Sequence, residues 1–222
     1  MSTLHTRGAL ERELERIRSD ILRMGSLVER AIERSIQALK DRDPDLAQQV
    51  INDDAEINQL RFAIEEHCLE LIATQQPAAR DLRLVIAATH LAVELERMAD
   101  HAAGTAEITQ RIYQEPLLKP LIDLPIMAKV AQEMIHAALD AFVAFDADAA
   151  QAVAARDDEI DNLYQQVFRE LLTYMLEDPR NISRATYLLW VAHNLERIGD
   201  RVTNVCERVV FMATGRLEEL QP

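Results

Sequence analysis

The chain has 222 residues, nearly half of them apolar, with 38 acidic against 24 basic side chains and a formal charge of −14. That balance argues against a nucleic-acid ligand, whose phosphates need a net basic surface, and points to cations or basic protein surfaces as partners. Only five Gly and seven Pro punctuate a sequence dominated by Ala, Leu, Glu and Arg, with no sustained apolar/polar alternation of strand type, so the chain reads as all helix.

The N-terminal stretch MSTLHTRGALERELERIRSD is charged throughout and has no apolar h-region, and nowhere do eighteen apolar residues run together. A cytoplasmic protein that meets the membrane only through partners is expected. Cys68 and Cys206 lie singly, without CxxC spacing, which predicts two reduced thiols in or beside the core.

A first helix runs to Asp43-Pro44, an N-cap followed by Pro at the first position of the second helix. The second shows a seam of Ile57, Leu60, Ile64 and Leu71 before the break at Gln76-Pro77, and the third continues with Ala88, Leu91, Leu95, Met98 and Ala102. The stretch EPLLKP at 115–120 is the most linker-like in the chain. Beyond it Asp123-Leu-Pro125 opens a fourth helix, Asp146-Ala-Asp148 marks a short turn before the fifth, and Asp178-Pro179 with Asn181 and Ser183 offers caps for a sixth that stops at Gly215. That last helix has the clearest seam, with Leu188, Val191, Leu195, Ile198, Val202, Val205, Val209 and Met212 alternating three and four apart.

The two halves match each other in order. DDAEINQL at 53–60 aligns with RDDEIDNL at 156–163, and VELERMADHAAGTAE from Val93 aligns with HNLERIGDRVTNVCE from His193. The expected fold is therefore all-α: two tandem three-helix bundles, residues 1–115 and 116–222, six long helices related by internal duplication and packed about a pseudo-two-fold.

The repeats carry carboxylates at helical spacing. Glu96 and Asp100, Glu196 and Asp200, and Asp157 and Asp161 are each four apart, with Asp54 and Asn58 in the matching places of the first half. A lone pair of this kind is a solvated helix face. Two pairs brought together from neighbouring helices cost on the order of 4 kcal/mol per close contact at an effective dielectric near 20, so such a cluster requires cations or protons. All-oxygen donors suit Mg2+, Mn2+, Ca2+ or iron rather than structural zinc. Arg97 and Arg197 lie beside the stripes and could neutralise them without any metal. Glu133 and His136 form one ExxH without the second copy a di-iron bundle needs, and no nucleophile or phosphate-loop motif occurs, so no catalytic residue is assigned. A carboxylate-bridged metal enzyme or metal store is the alternative from a different class.

LERMADHAAGTAE and LERIGDRVTNVCE resemble the paired signature of the PhoU family, whose usual form is close to LERIGDHAxNIAE in each half. RMGSLVERAIERSIQAL resembles its first helix, DDAEINQL its second, and LIATQQPAARDLRLVIAATHLAVELER its connection into the third. The resemblance implies two three-helix bundles bearing metal clusters, with Mg, Mn or iron held by Glu96, Asp100 and Asp54 in one half and by Glu196, Asp200, Asp157 and Asp161 in the other. Asn204 and Glu207 fall on the downstream signature positions. The first-half copy departs more, with Met98-Ala99 for Ile-Gly and Gly104 for Asn, while Arg201 replaces a His in the second. By the same resemblance the protein is a non-enzymatic cytoplasmic regulator that lowers the phosphate-starvation response. It would couple the ATPase subunit of the phosphate ABC transporter to a sensor histidine kinase, as a homodimer or higher oligomer.

Overall fold

A computed structural model describes residues 2–220, with side chains from residue 8 onward. Its helices are α1 (Ser2–Asp41), α2 (Pro44–Gln75), α3 (Arg80–Ile112), α4 (Asp123–Ala144), α5 (Ala147–Ala154), α6 (Asp157–Glu177) and α7 (Ile182–Thr214), with a single 3-10 turn at Pro179–Asn181. No strand occurs among the described residues. The six long helices are those the apolar spacing predicts. The difference is α5: Asp146 does not mark a plain turn but caps an eight-residue helix, accepting a hydrogen bond from the Ala149 amide.

The helix ends follow from local chemistry. Asp43 accepts from the amides of Asp45 and Leu46, and Pro44 occupies a position whose N–H has no intrahelical partner. Gly215, at φ +79°, closes α7 in the left-handed region. In the repeat alignment α5 and α6 together are the counterpart of α2, interrupted at Ala155-Arg156. Neither residue is a helix breaker, so nothing in the local sequence announces the interruption.

Helices α1, α2 and α3 form one bundle and α4, α6 and α7 the other, with α5 against α4 and α7. The apolar stripes of both merge into one continuous core that runs from Leu14 on α1 to Met212 on α7. Two helix pairs join the halves. Between α1 and α4, Gly25 permits a close approach: a Cβ there would lie 2.1 Å from Cδ1 of Leu139. The larger junction is α3 against α7.

Contacts across this junction show its direction. Arg83 Nε donates to the Met212 carbonyl at 3.1 Å, Glu94 Oε2 accepts from Arg201 and Asn204 at 3.3 and 3.2 Å, and Asn194 Nδ2 donates to Thr105 Oγ1 at 3.3 Å. Residue numbers fall on α7 as they rise on α3, so the helices are antiparallel. Positions one hundred apart are equivalent in the duplication, and the contacts obey it. Asn204 meets Glu94, and Gly104 faces Asn194, whose Nδ2 would lie 3.3 Å from a Cβ at position 104. The same contact, seen from both sides, places a pseudo-two-fold between α3 and α7. No described helix is long and apolar enough to cross a membrane. Cys68 and Cys206 are free and buried, and burial pushes both thiols up to about 12, so they stay protonated.

Candidate metal centre

The second-half carboxylates converge where α6 lies against α7. Asp157 is 1% exposed, and its Oδ1 accepts no hydrogen bond. It reaches this depth because position 199 is glycine: a Cβ there would stand 2.3 Å from Asp157 Oδ1 and 3.0 Å from Ile160 Cδ1. Burial, then the charges of Asp161, Asp200, Glu196 and Asp158, push the Asp157 carboxyl up to about 7. Asp161 is raised by burial and by Asp200 and Asp158. Glu196 is raised by burial and Asp200, against the lowering effect of His193 and Arg197. The structure therefore brings Asp157, Asp161, Glu196 and Asp200 into one mutually repelling group.

The neutralising partners are only partly sufficient. Arg197 Nη1 binds Asp200 Oδ2 at 2.6 Å, and His193 Nδ1 lies 3.1 Å from Glu196 Oε2, a charge pair when the imidazole is protonated. Neither is paired with the buried Asp157, whose orphaned oxygen is the feature a cation would satisfy. Among the described residues no three His, Cys, Asp or Glu side chains are already arranged to hold a metal ion. Binding one requires side-chain rearrangement within the group.

The first-half group is looser. Asp54 is raised by burial and by the charge of Asp100, its Oδ2 accepts from Asn58 at 2.7 Å, and its Oδ1 is unpartnered. Arg97 lies 3.5 Å from Glu96 and 3.2 Å from Asp100. Ala99 stands where the second half has Gly199, and Asp54, the counterpart of Asp157, is only partly buried. A cavity of about 280 Å3 between α1 and α2, floored by Ile57 and Ala99, opens beside it.

Asn204 and Glu207 are not brought to either group. Asn204 turns toward α3 and donates to Glu94, while Glu207 Oε1 accepts from the Leu220 amide at 3.1 Å. A stripe with four-residue spacing rotates by about 40° at each step, which carries Asn204 off the α6 side of α7 and onto the α3 side. Glu94, which holds both Arg201 and Asn204, escaped the sequence reading; its only signal was its place just ahead of the LER repeat. The ExxH residues are charge partners at helix junctions, Glu133 with Arg156 at 3.0 Å and His136 with Glu29 at 3.5 Å.

A PhoU domain model matches the chain twice, at residues 21–109 and 124–209. The chain belongs to the PhoU family. It is 41% identical to the phosphate-specific transport system accessory protein PhoU homolog of Pseudomonas aeruginosa, over 96% of this chain and 88% of that protein. The Escherichia coli K12 phosphate-specific transport system accessory protein PhoU is 36% identical over the same shares. The crystal structure of PhoU from Pseudomonas aeruginosa superposes with a TM-score of 0.87 at 40% identity, covering 93% of this chain and 99% of that one. That of the phosphate transport system regulatory protein PhoU from Streptococcus pneumoniae also gives 0.87, at 33% identity over 94% and 99%. These matches span both copies of the PhoU repeat.

Two outcomes follow from the packing. Gly199→Ala, which raises helix propensity by nearly 1 kcal/mol on an open helix, will instead lower stability by about 1–3 kcal/mol in urea unfolding, because the new methyl meets Asp157. A stabilised variant would contradict the close approach. Asp157 has a raised folded pKa, so its stabilising contribution is complete below about pH 4, its unfolded value, and is lost as pH rises through about 7. Asp157→Asn in metal-free buffer will therefore gain on the parent by at least about 1 kcal/mol between pH 4.5 and pH 8. Parallel pH profiles would remove that carboxyl as the titrating group.

Proposed function

We propose that this chain is a regulatory accessory protein of high-affinity phosphate uptake. The match to accessory and regulatory proteins of phosphate transport over more than nine-tenths of the chain supports this reading. In it the protein catalyses no reaction. It sits in the cytoplasm, binds the ATPase subunit of the phosphate transporter and a sensor histidine kinase, and holds the phosphate-starvation response low when phosphate is plentiful. A rigid, helical, acidic surface suits partner binding.

In the same reading Asp157, Asp161, Glu196 and Asp200 hold a hard or borderline cation, Mg2+, Mn2+ or iron, and Asp54, Glu96 and Asp100 a second. The unpartnered Asp157 oxygen supports the first of these. A cation supplies the charge that Arg197 leaves uncompensated. Because a carboxyl raised to about 7 must lose its proton to become a ligand, affinity rises with pH up to that value and proton release accompanies binding below it. The arginine contacts support a metal-free charge network as the competing account of the same residues.

Elemental analysis separates the two. Protein purified without chelator or affinity metal will carry stoichiometric cation that Glu196→Ala/Asp200→Ala loses, and titrating Mn2+, Mg2+ or iron into stripped protein will raise its melting temperature. No metal and no thermal shift in either protein would leave the charge network. The regulatory role is tested in the cell: deleting the gene will raise expression of phosphate-starvation genes in phosphate-rich medium, and unchanged expression that re-expression also fails to alter would count against it.

A further inference from the structure

Helices α2, α3, α7 and α6 pack side by side in that order, with one carboxylate group at the seam of α2 on α3 and the other at the seam of α6 on α7. The central helices α3 and α7 are nearly balanced in charge, whereas the edge helices are strongly acidic. Helix α2 has seven carboxylates and one arginine, and α6 six and one. Along each edge helix exposed apolar residues follow the aspartate, turned toward solvent rather than into the seam. From Asp157, Phe168 stands about three turns on and Leu172 about one turn further; from Asp54, Leu69 and Ile72 stand about four and five turns on. Leu172 and Leu69 are equivalent in the duplication, and both lie in solvent, at 43% and 67% exposure. Exposed leucine at one repeat position on two acidic helices recurs about the pseudo-two-fold, so the face offers the same acidic and apolar patch twice.

We propose that this face docks a two-fold symmetric protein partner, one chain per partner dimer, with each half meeting a basic and apolar surface of one partner subunit through Leu69 or Leu172. The proposal rests on the accessory-protein reading above. Charge complementarity selects the partner: the excess of carboxylates on α2 and α6 repels a second copy of the same face and an anionic membrane alike, and attracts basic side chains. Symmetry selects the stoichiometry. A partner with a two-fold axis presents two equal surfaces, and a duplicated chain engages both at once, the second contact being intramolecular once the first is made. The copies are not identical at the rim. Phe168 in the second half stands where the first has Glu65, paired with Arg61 at 3.3 Å, so the α6 side contributes more apolar area.

The test uses the full chain with the purified, dimeric ATPase subunit of the phosphate transporter as probe. Light scattering of the complex will give one chain per two ATPase subunits. Leu69→Glu and Leu172→Glu will each weaken binding by about tenfold, and the double variant by considerably more. Both leucines are exposed, so the variants will melt as the parent does, which checks that the fold is kept. Equal binding by the double variant, or one chain per ATPase subunit, overturns the proposal while leaving the accessory role standing. No binding by the parent overturns both. If the chain alone is dimeric and the double variant is monomeric, the face joins copies of this chain and the proposal is likewise overturned.

Discussion

The antiparallel packing of α3 on α7 is the constraint on which the other features depend. Each helix is the core helix of its own bundle, and each gives its neighbour an apolar seam on one side and a polar seam on the other. Glu94 with Arg201 and Asn204, and Asn194 with Thr105, stitch the polar edge and hold the two repeats in register. Because the junction is symmetric, equivalent positions of the two repeats are presented in the same way. Two carboxylate groups and two exposed leucines thus arise from one local pattern and one packing operation. The main cluster of buried side chains runs through both bundles, and a small one of Ala38, Ala47, Val50 and Ala106 lies apart in the first.

The symmetry is broken where a single methyl decides. Gly199 lets Asp157 be buried against α7, whereas the first half has Ala99 at that position and its Asp54 is only partly buried. Depth then governs charge. A carboxyl buried beside four other acids is pushed up to about 7, while Asp54, also raised by burial, has Asn58 as a donor that works against the rise. The second group is consequently the more strongly self-repelling, and in the first Arg97 offsets part of the charge. A substitution that is conservative for a helix therefore separates the two halves in their electrostatics.

Helix number, order and seams were legible because apolar residues recur three and four apart and Pro, Asp and Gly mark the ends. The short α5 was not, because Ala155 and Arg156 interrupt the helix without any residue that demands it. Asp157, Asp161, Glu196 and Asp200 could be picked out by spacing and repetition. Asn204 and Glu207 could also be picked out, yet they bind elsewhere: the four-residue stripe winds Asn204 around to α3, and Glu207, about three turns beyond Glu196 on the same side, reaches the C-terminal segment instead. Glu94 was invisible for the complementary reason: its partners lie more than one hundred residues away.

From its sequence alone this protein is a duplicated all-helical chain with paired acids in each repeat and a surplus of carboxylates. Those are properties of composition and of periodicity along a single helix, which local chemistry dictates. Only the tertiary structure decided that α3 and α7 run antiparallel, that Asp157 is buried and unpartnered, and that acidic and apolar residues of distant segments share one face. Such features depend on the distance between helices, set by the volume of side chains at the crossing, and a difference as small as glycine against alanine does not register in periodicity.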